Sequence, residues 1–161
     1  MLIKRKITNP KKLAIRGGSN GGLLVGAVFV QRPDLFNGVI CNVPLLDMKR
    51  YTKLLAGASW AAEYGDPDKP DMWDYIKTYS PYHNVKKGVK YPRVFFMTST
   101  RDDRVHPGHA RKMTARMINQ GHKVFYFENI EGGHAGAANN KQRAYMSALG
   151  YAYLYKQLMG K

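Results

Sequence analysis

An apolar strand breaks on glycines around one serine and resumes as an apolar helix: Leu13-Ala-Ile-Arg-Gly17-Gly18-Ser19-Asn20-Gly21-Gly22-Leu-Leu-Val. No other feature restricts the chain as much. The pattern Gly17-x-Ser19-x-Gly21 fits a nucleophile elbow, a strained strand-to-helix turn that lifts a serine hydroxyl above a parallel sheet while the glycines remove side chains that would clash. A glycine-rich turn with an incidental serine is the competing description, because short motifs recur by chance. The setting favours the elbow. Residues 13–16 read as a short strand, and Leu23, Leu24, Val25, Ala27, Val28, Phe29 and Val30 are apolar around nearly the whole helix circumference, which predicts a buried helix. Two other glycine loops are excluded directly. Ser19 interrupts the dinucleotide pattern Gly-x-Gly-x-x-Gly, and Leu23 rather than lysine follows Gly22, which rejects the phosphate-binding loop.

The chain's 161 residues, 44% of them hydrophobic, correspond to one soluble globular domain, 1–161, small for a complete enzyme built on such an elbow. No apolar run has the length of a membrane span, and Met1-Leu-Ile-Lys-Arg-Lys carries charge without a signal peptide's apolar stretch. A cytoplasmic location without membrane contact is expected. The single cysteine, Cys41, has no internal disulfide partner and lies in the apolar run Val39-Ile-Cys-Asn, as a small buried side chain would. A net charge of +15 favours contact with polyanions. Its clearest clusters, Lys4, Arg5, Lys6, Lys11, Lys12 and then Lys86, Lys87, Lys90, carry no nucleic-acid motif, so no specific nucleic-acid partner is expected.

Strand and helix alternate along the chain. After the elbow unit, Pro33–Phe36 reads as a turn and 38–43 as a second strand. Residues 44–91 are irregular, with helices predicted over 46–55 and 71–79 and turns at Gly65-Asp-Pro67 and Ser80-Pro81. A third strand, 93–99, runs into the polar loop Thr100-Arg-Asp102-Asp103-Arg104. A helix follows over 108–119, with Ala110, Met113, Met117 and Ile118 on one face, and Gly121 ends it. The fourth strand, 123–128, leads through Glu131-Gly132-Gly133-His134 to a closing helix over 139–158. Such alternation predicts an α/β fold, a parallel sheet of about four strands with helices on both faces.

In sheets of this kind ligands lie beyond the carboxyl ends of the strands. Ser19 follows strand one, Asp102 and Asp103 follow strand three, and His134 follows strand four, so all are expected at one edge. Two glycines before His134 let a loop bring its ring close to the elbow. Spacing alone leaves Asp102 and Asp103 equivalent. His83, His106, His109 and His122 read as surface or structural, and the spacing of His106 and His109 suits a metal pair but lacks a third ligand nearby. No metal or other cofactor is expected. The order Ser, Asp, His resembles that of the α/β-hydrolases, in which the imidazole takes the serine proton and the carboxylate fixes its tautomer.

Gly17-Gly-Ser-Asn-Gly-Gly22-Leu-Leu-Val, Gln31-Arg-Pro-Asp-Leu-Phe36, Tyr64-Gly, Tyr79-Ser-Pro-Tyr-His-Asn-Val85, Asp102-Asp-Arg-Val105 and Gly133-His134 together resemble the C-terminal part of the catalytic domain in the prolyl oligopeptidase family of serine peptidases. The resemblance runs over nearly the whole chain. It implies an α/β-hydrolase-like fold with Ser19 as nucleophile, Asp102 rather than Asp103 as the acid, His134 as the base and the backbone amide of Asn20 as an oxyanion donor. It further implies a substrate pocket in which Trp60 stacks on a proline ring, Tyr64 forms a wall and Arg104 binds a substrate carbonyl, chemistry that suits a flat aromatic face and a guanidinium. The implied activity is cleavage of short peptides after proline. An esterase or a dibasic-specific peptidase is the alternative on this fold, and Trp60 argues against it.

The sequence also departs from that family. Nothing in it encodes an N-terminal β-propeller, and only twelve residues precede Leu13, where the family's sheet has further strands and its second oxyanion donor, a tyrosine hydroxyl. Losing one such donor typically costs about 10²- to 10³-fold in rate. A first strand without its outer neighbour would leave backbone groups and apolar helix surface uncovered. The expectation is therefore a truncated or split family member whose partner is a second copy or a separately encoded N-terminal half.

Overall fold

The computed structural model describes residues 1–160. Four short apolar runs, each ended by a turn, form strands β1 (Ala14–Gly18), β2 (Gly38–Asn42), β3 (Val94–Ser99) and β4 (Phe125–Asn129). The helices are α1 (Asn20–Gln31), α2 (Ala61–Tyr64), α3 (Pro70–Ile76), α4 (Pro81–Asn84), α5 (Gly108–Asn119) and α6 (Asn140–Met159). The strands pair in parallel in the order β1-β2-β3-β4, with Gly17 beside Cys41, Cys41 beside Phe96 and Phe96 beside Tyr126. A parallel pair needs a crossover after each strand, which the helices supply. All four strands therefore end on one edge, at Gly18, Asn42, Ser99 and Asn129.

Side chains alternate across the sheet and fill two cores. On one face Val39, Cys41, Val94 and Phe96 pack against Val25 and Phe29 of α1 and Met113 and Met117 of α5. On the other, Ile40, Phe95 and Met97 pack against α6 through Tyr153, Met146 and Leu149. Covered on both faces, β3 is buried at every position and β2 at all but its last, so neither shows polar alternation. Burial of a side chain such as Phe96 stabilises the fold by roughly 1.5–3 kcal/mol. Tyr153 reaches through its core to the backbone: its hydroxyl accepts from Val39 N at 2.8 Å and donates to the Arg93 carbonyl. Cys41 is buried as expected, and burial pushes its thiol pKa up.

The helix expected over 46–55 does not form. Its amides are satisfied by side chains instead: Leu46 N and Asp47 N donate to His109 Nδ1 at 3.4 and 3.0 Å, Met48 N to Ser80 Oγ at 3.2 Å, and Lys49 N to Asp47 Oδ1 at 3.2 Å. A helix here would leave its first amides free; instead they are anchored to distant side chains, and the bonds that follow, Arg50 N to Asp47 O, Lys53 N to Arg50 O and Leu54 N to Tyr51 O, close over three residues rather than four. Two 3₁₀ segments, Tyr51–Lys53 and Leu55–Trp60, follow, and Leu55 has a φ of +50°. The helix expected over 71–79 stops at Ile76, and the Ser80-Pro81 turn opens the single-turn α4, where proline at the first helical position costs no hydrogen bond. The closing helix starts at Asn140 because Asn139 caps it, its Oδ1 accepting from Gln142 N at 2.9 Å. Nor is α1 buried all round. Leu24 is 64% exposed, and a Cβ on Gly21 would meet nothing within 4 Å, so the strip through Gly21 and Leu24 lies open, beside the outer strand β1. Among the described residues no helix is long and apolar enough to cross a membrane.

Two outcomes follow for stability. A Cβ on Gly17 would stand 2.1 Å from the Gly21 carbonyl oxygen and 2.7 Å from Val25, so Gly17→Ala is expected to destabilise by about 2 kcal/mol or more, whereas Gly21→Ala should stay within about 1 kcal/mol. Urea unfolding of the two variants checks this. Burial also lowers the His109 pKa from 6.5 to about 4, against the raising influence of Asp47. Between those values the unfolded chain binds a proton that the folded chain refuses, so stability falls as pH drops from about 6.5 to about 4. The urea midpoint should show that slope, and His109→Gln should flatten it.

Candidate active site

Ser19 sits between β1 and α1 with φ +58° and ψ −119°, a conformation that a non-glycine residue adopts only under constraint. Three features hold it there. Ser19 N donates to the Asn42 carbonyl at 3.0 Å, Ser19 O accepts from Gly22 N at 2.9 Å and Leu23 N at 3.1 Å, and the bare Gly17 lets the first turn of α1 lie against β1. Gly22 is also tight, though less so, since a Cβ there would stand 2.8 Å from Pro44. The clash argument for the glycines thus applies to Gly17 and Gly22 and not to Gly21. Although it occupies the N-cap position, the Ser19 side chain makes no capping bond, which leaves its hydroxyl to other partners.

That partner is His134. Its Nε2 lies 3.0 Å from Ser19 Oγ, while its Nδ1 lies 2.9 and 3.0 Å from the two oxygens of Asp102. A carboxylate only accepts, so Nδ1 carries the hydrogen that it donates to Asp102, and in the neutral ring Nε2 is left to accept the serine O–H. Asp102 is buried, and its Oδ1 also accepts from Arg104 N and Val105 N, both at 2.9 Å. The neighbouring Asp103 is exposed and makes no contact with the imidazole.

The loop that delivers His134 is tied to two strand ends. Ser99 Oγ and Asn129 Nδ2 both donate to the Gly136 carbonyl, at 2.9 and 2.8 Å, and Arg101 N donates to Gly132 O at 3.2 Å. A side chain on Gly132 would strike the Gly136 carbonyl oxygen at 2.2 Å; Gly133 has room. Ser99 and Asn129 escaped the sequence reading. Their only signal is a polar residue at the carboxyl end of a mostly apolar strand.

Beside Ser19 opens a cleft of about 150 Å³ whose lining includes Asn20, the expected oxyanion donor, and Trp60, Tyr64 and Arg104, the expected substrate side chains, together with Glu63, which the sequence reading passed over. The Tyr64 hydroxyl donates to Asn20 Oδ1 at 2.8 Å. Burial and the adjacent Glu63 carboxylate push the Tyr64 phenol up to about 12, so it keeps its proton. As the first residue of α1, Asn20 has a backbone N–H with no helical acceptor, at the end of the helix where the peptide dipoles favour negative charge. A larger hollow of about 350 Å³, between β4 and α6, is lined by Phe127, Tyr145 and Met146 among others, with no serine, cysteine or histidine in its lining.

Of the other histidines, His109 is fully buried and structural, His106 Nδ1 accepts from Gly108 N at 2.9 Å, His83 bonds Ser80 Oγ and His122 bonds the Lys86 carbonyl. A nucleophile, a base and a buried acid in sequence at hydrogen-bonding distance, next to a free amide and a small aromatic cleft, can support acyl transfer.

Comparison with known proteins identifies the family. The chain matches the Prolyl oligopeptidase family over residues 1–161. It is 56% identical over 158 residues to the uncharacterized peptidase y4nA of Sinorhizobium fredii, covering 98% of this chain and 22% of that protein. It is 46% identical over 125 residues to the prolyl endopeptidase of Dictyostelium discoideum, covering 76% of this chain and 16% of that one. Among solved structures, a prolyl endopeptidase superposes with a TM-score of 0.95 at 42% identity over 99% of this chain and 24% of its own. A post-proline cleaving enzyme from Rickettsia typhi gives 0.94 at 41% identity over 98% and 23%. The chain therefore spans about a quarter or less of the length of these relatives. A full-length match to the family, carried on a four-stranded parallel α/β-hydrolase sheet, establishes that this chain belongs to the prolyl oligopeptidase family.

Proposed function

We propose that this chain carries the catalytic centre of a serine peptidase that cleaves short peptides on the carboxyl side of proline. The observation that carries the reading is the 3.0 Å contact between His134 Nε2 and Ser19 Oγ, with Asp102 2.9 Å behind Nδ1. In the proposed cycle Ser19 Oγ attacks the carbonyl carbon of the proline as His134 Nε2 takes the hydroxyl proton. The resulting oxyanion accepts from the free Asn20 N–H. Collapse breaks the C–N bond, and His134 returns the proton to the departing amine. Water then attacks the acyl-enzyme by the same route in reverse. Asp102 stays ionised throughout, holding the ring in one tautomer and balancing the charge of the imidazolium.

Trp60 and Tyr64 would flank the proline ring, and the Arg104 guanidinium would hold a carbonyl further along the peptide. The aromatic side chains of Trp60 and Tyr64 in the lining support proline over a basic residue at the cleaved bond. The cytoplasm is the proposed location, on the single buried thiol of Cys41.

A second reading concerns assembly. The outer edge of β1 and the open strip through Gly21 and Leu24 favour a covering partner, a second copy or the N-terminal half of the domain, without which the chain is a subunit of low activity.

A fluorophosphonate should label wild-type protein at Ser19 and fail to label Ser19→Ala; folded wild-type protein that takes no label would overturn the peptidase reading. Trp60→Ala should raise KM for a proline peptide about 10-fold with a smaller change in kcat, and substrates with arginine at the cleaved position should be poorer than those with proline. Light scattering that finds a cooperatively folding monomer, fully active alone, would sink the assembly reading.

A further inference from the structure

We propose that Asp47, locked to Lys112, is the positioning residue that sets the aromatic wall of the cleft against its opposite wall, an inference that rests on the proline-selective reading above. The two walls come from different parts of the chain. Arg104 and Val105 belong to the loop that enters α5, whereas Trp60 and Tyr64 end the irregular segment that leaves β2. Asp47 is where α5 grips that segment.

Its carboxylate is fully buried. Lys112 Nζ donates to Oδ2, Arg50 Nη1 lies 3.5 Å from the same oxygen, and His83 Nε2 lies 3.8 Å from Oδ1. Burial alone would raise the Asp47 pKa, but the Lys112 bond and charge outweigh it, aided by His83 and His109, and hold the carboxyl below its usual range. One turn before Lys112 on α5, His109 accepts the amides of Leu46 and Asp47. The cluster thus clamps Leu46 and Asp47 to the helix that follows the opposite wall.

From Asp47 the constraint reaches the cleft through Tyr51, itself fully buried. The Tyr51 hydroxyl donates to the Gly65 carbonyl, its ring meets Tyr64 edge-on at a centroid distance of 5.7 Å, and its own carbonyl fills the space where Gly57 would carry a side chain. Tyr64 then bonds Asn20, next to the nucleophile. Neither Ser19, His134 nor Asp102 has a hydrogen bond to residues 44–65 among the described residues. Loosening the clamp should therefore misplace the aromatic wall and spare the proton relay. Lys112 lies at the rim, with its side chain 34% exposed, so its replacement removes the clamp without opening the core.

The test uses the 161-residue chain and two reagents that phosphonylate the serine. An alkyl fluorophosphonate needs only the nucleophile, and a peptidyl-proline diphenyl phosphonate must also seat its ring in the cleft. Lys112→Met should slow the proline reagent about 10-fold and leave the alkyl reagent within about 2-fold, and Lys112→Arg should recover most of the loss. Ser80→Ala, which removes the hydroxyl that bonds Met48 N and the His83 ring beside Asp47, should show the same split in milder form and decides the matter if Lys112→Met does not fold. Equal losses with both reagents, or no loss with either, overturn the positioning role while leaving the peptidase reading in place. A wild-type chain that reacts with the alkyl reagent but gains nothing from proline overturns the proline-selective reading, and the positioning role with it.

Discussion

The backbone of Ser19, held at φ +58° and ψ −119°, is the constraint on which the rest of the molecule turns. Such a conformation costs on the order of 1–3 kcal/mol and persists only where the surroundings over-determine it. Here they do. The apolar side of α1 is buried against β1 and β2, the bare Gly17 and Gly22 allow the approach, and the Asn42 carbonyl takes the serine amide. Strain at one residue is offset by a whole helix packed on the sheet. What the strain achieves is orientation: a serine that would ordinarily cap its own helix instead turns its hydroxyl out to His134, while the first free amide of that helix stands next to it.

A parallel sheet supplies the second condition. Ser19 and His134 are 115 residues apart in sequence, and Asp102 and His134 are 32 apart. They meet because every strand enters the sheet from the same end and hands its following loop to the same edge. The loops are then trimmed by short-range bonds. Asp102 accepts the amides two and three residues on, and Ser99 and Asn129 draw the His134 loop down through a shared carbonyl at Gly136. Rigid strands give the coarse placement and these side-chain bonds the fine one, which is the division of labour that a preorganised site requires.

The cleft is built differently. Its aromatic wall rides on a segment with little regular structure of its own, held by buried polar contacts at Asp47, Ser80 and His109 and by the packing of Tyr51 and Leu45 in a third apolar cluster. A buried carboxylate is a weak source of stability, because desolvation offsets much of the attraction, but it is a demanding one geometrically. The Ser19–His134–Asp102 geometry and the aromatic wall consequently rest on different supports, and they meet where Tyr64 bonds Asn20 and where Asp102 accepts the amides of Arg104 and Val105 on the opposite wall.

From the sequence alone the four strands, their alternation with helices and the Gly17-x-Ser19-x-Gly21 turn were legible, because each depends on local periodicity and on glycine placed around one serine. The order Ser19, Asp102, His134 was legible too, since a parallel sheet sends every strand end to one edge. Choosing Asp102 over Asp103 rested on the family resemblance and not on spacing: both follow β3, and in the structure the turn there buries the first and exposes the second. The helix expected over 46–55 failed for a related reason. Its pattern suits a helix, but His109 and Ser80, far along the chain, anchor the amides of residues 46–48, and the segment that follows closes in 3₁₀ rather than α-helical turns. Local sequence sets which backbone conformations are cheap; which amide finds which acceptor, and which of two neighbouring carboxylates is shielded from water, is settled only when distant segments close on one another.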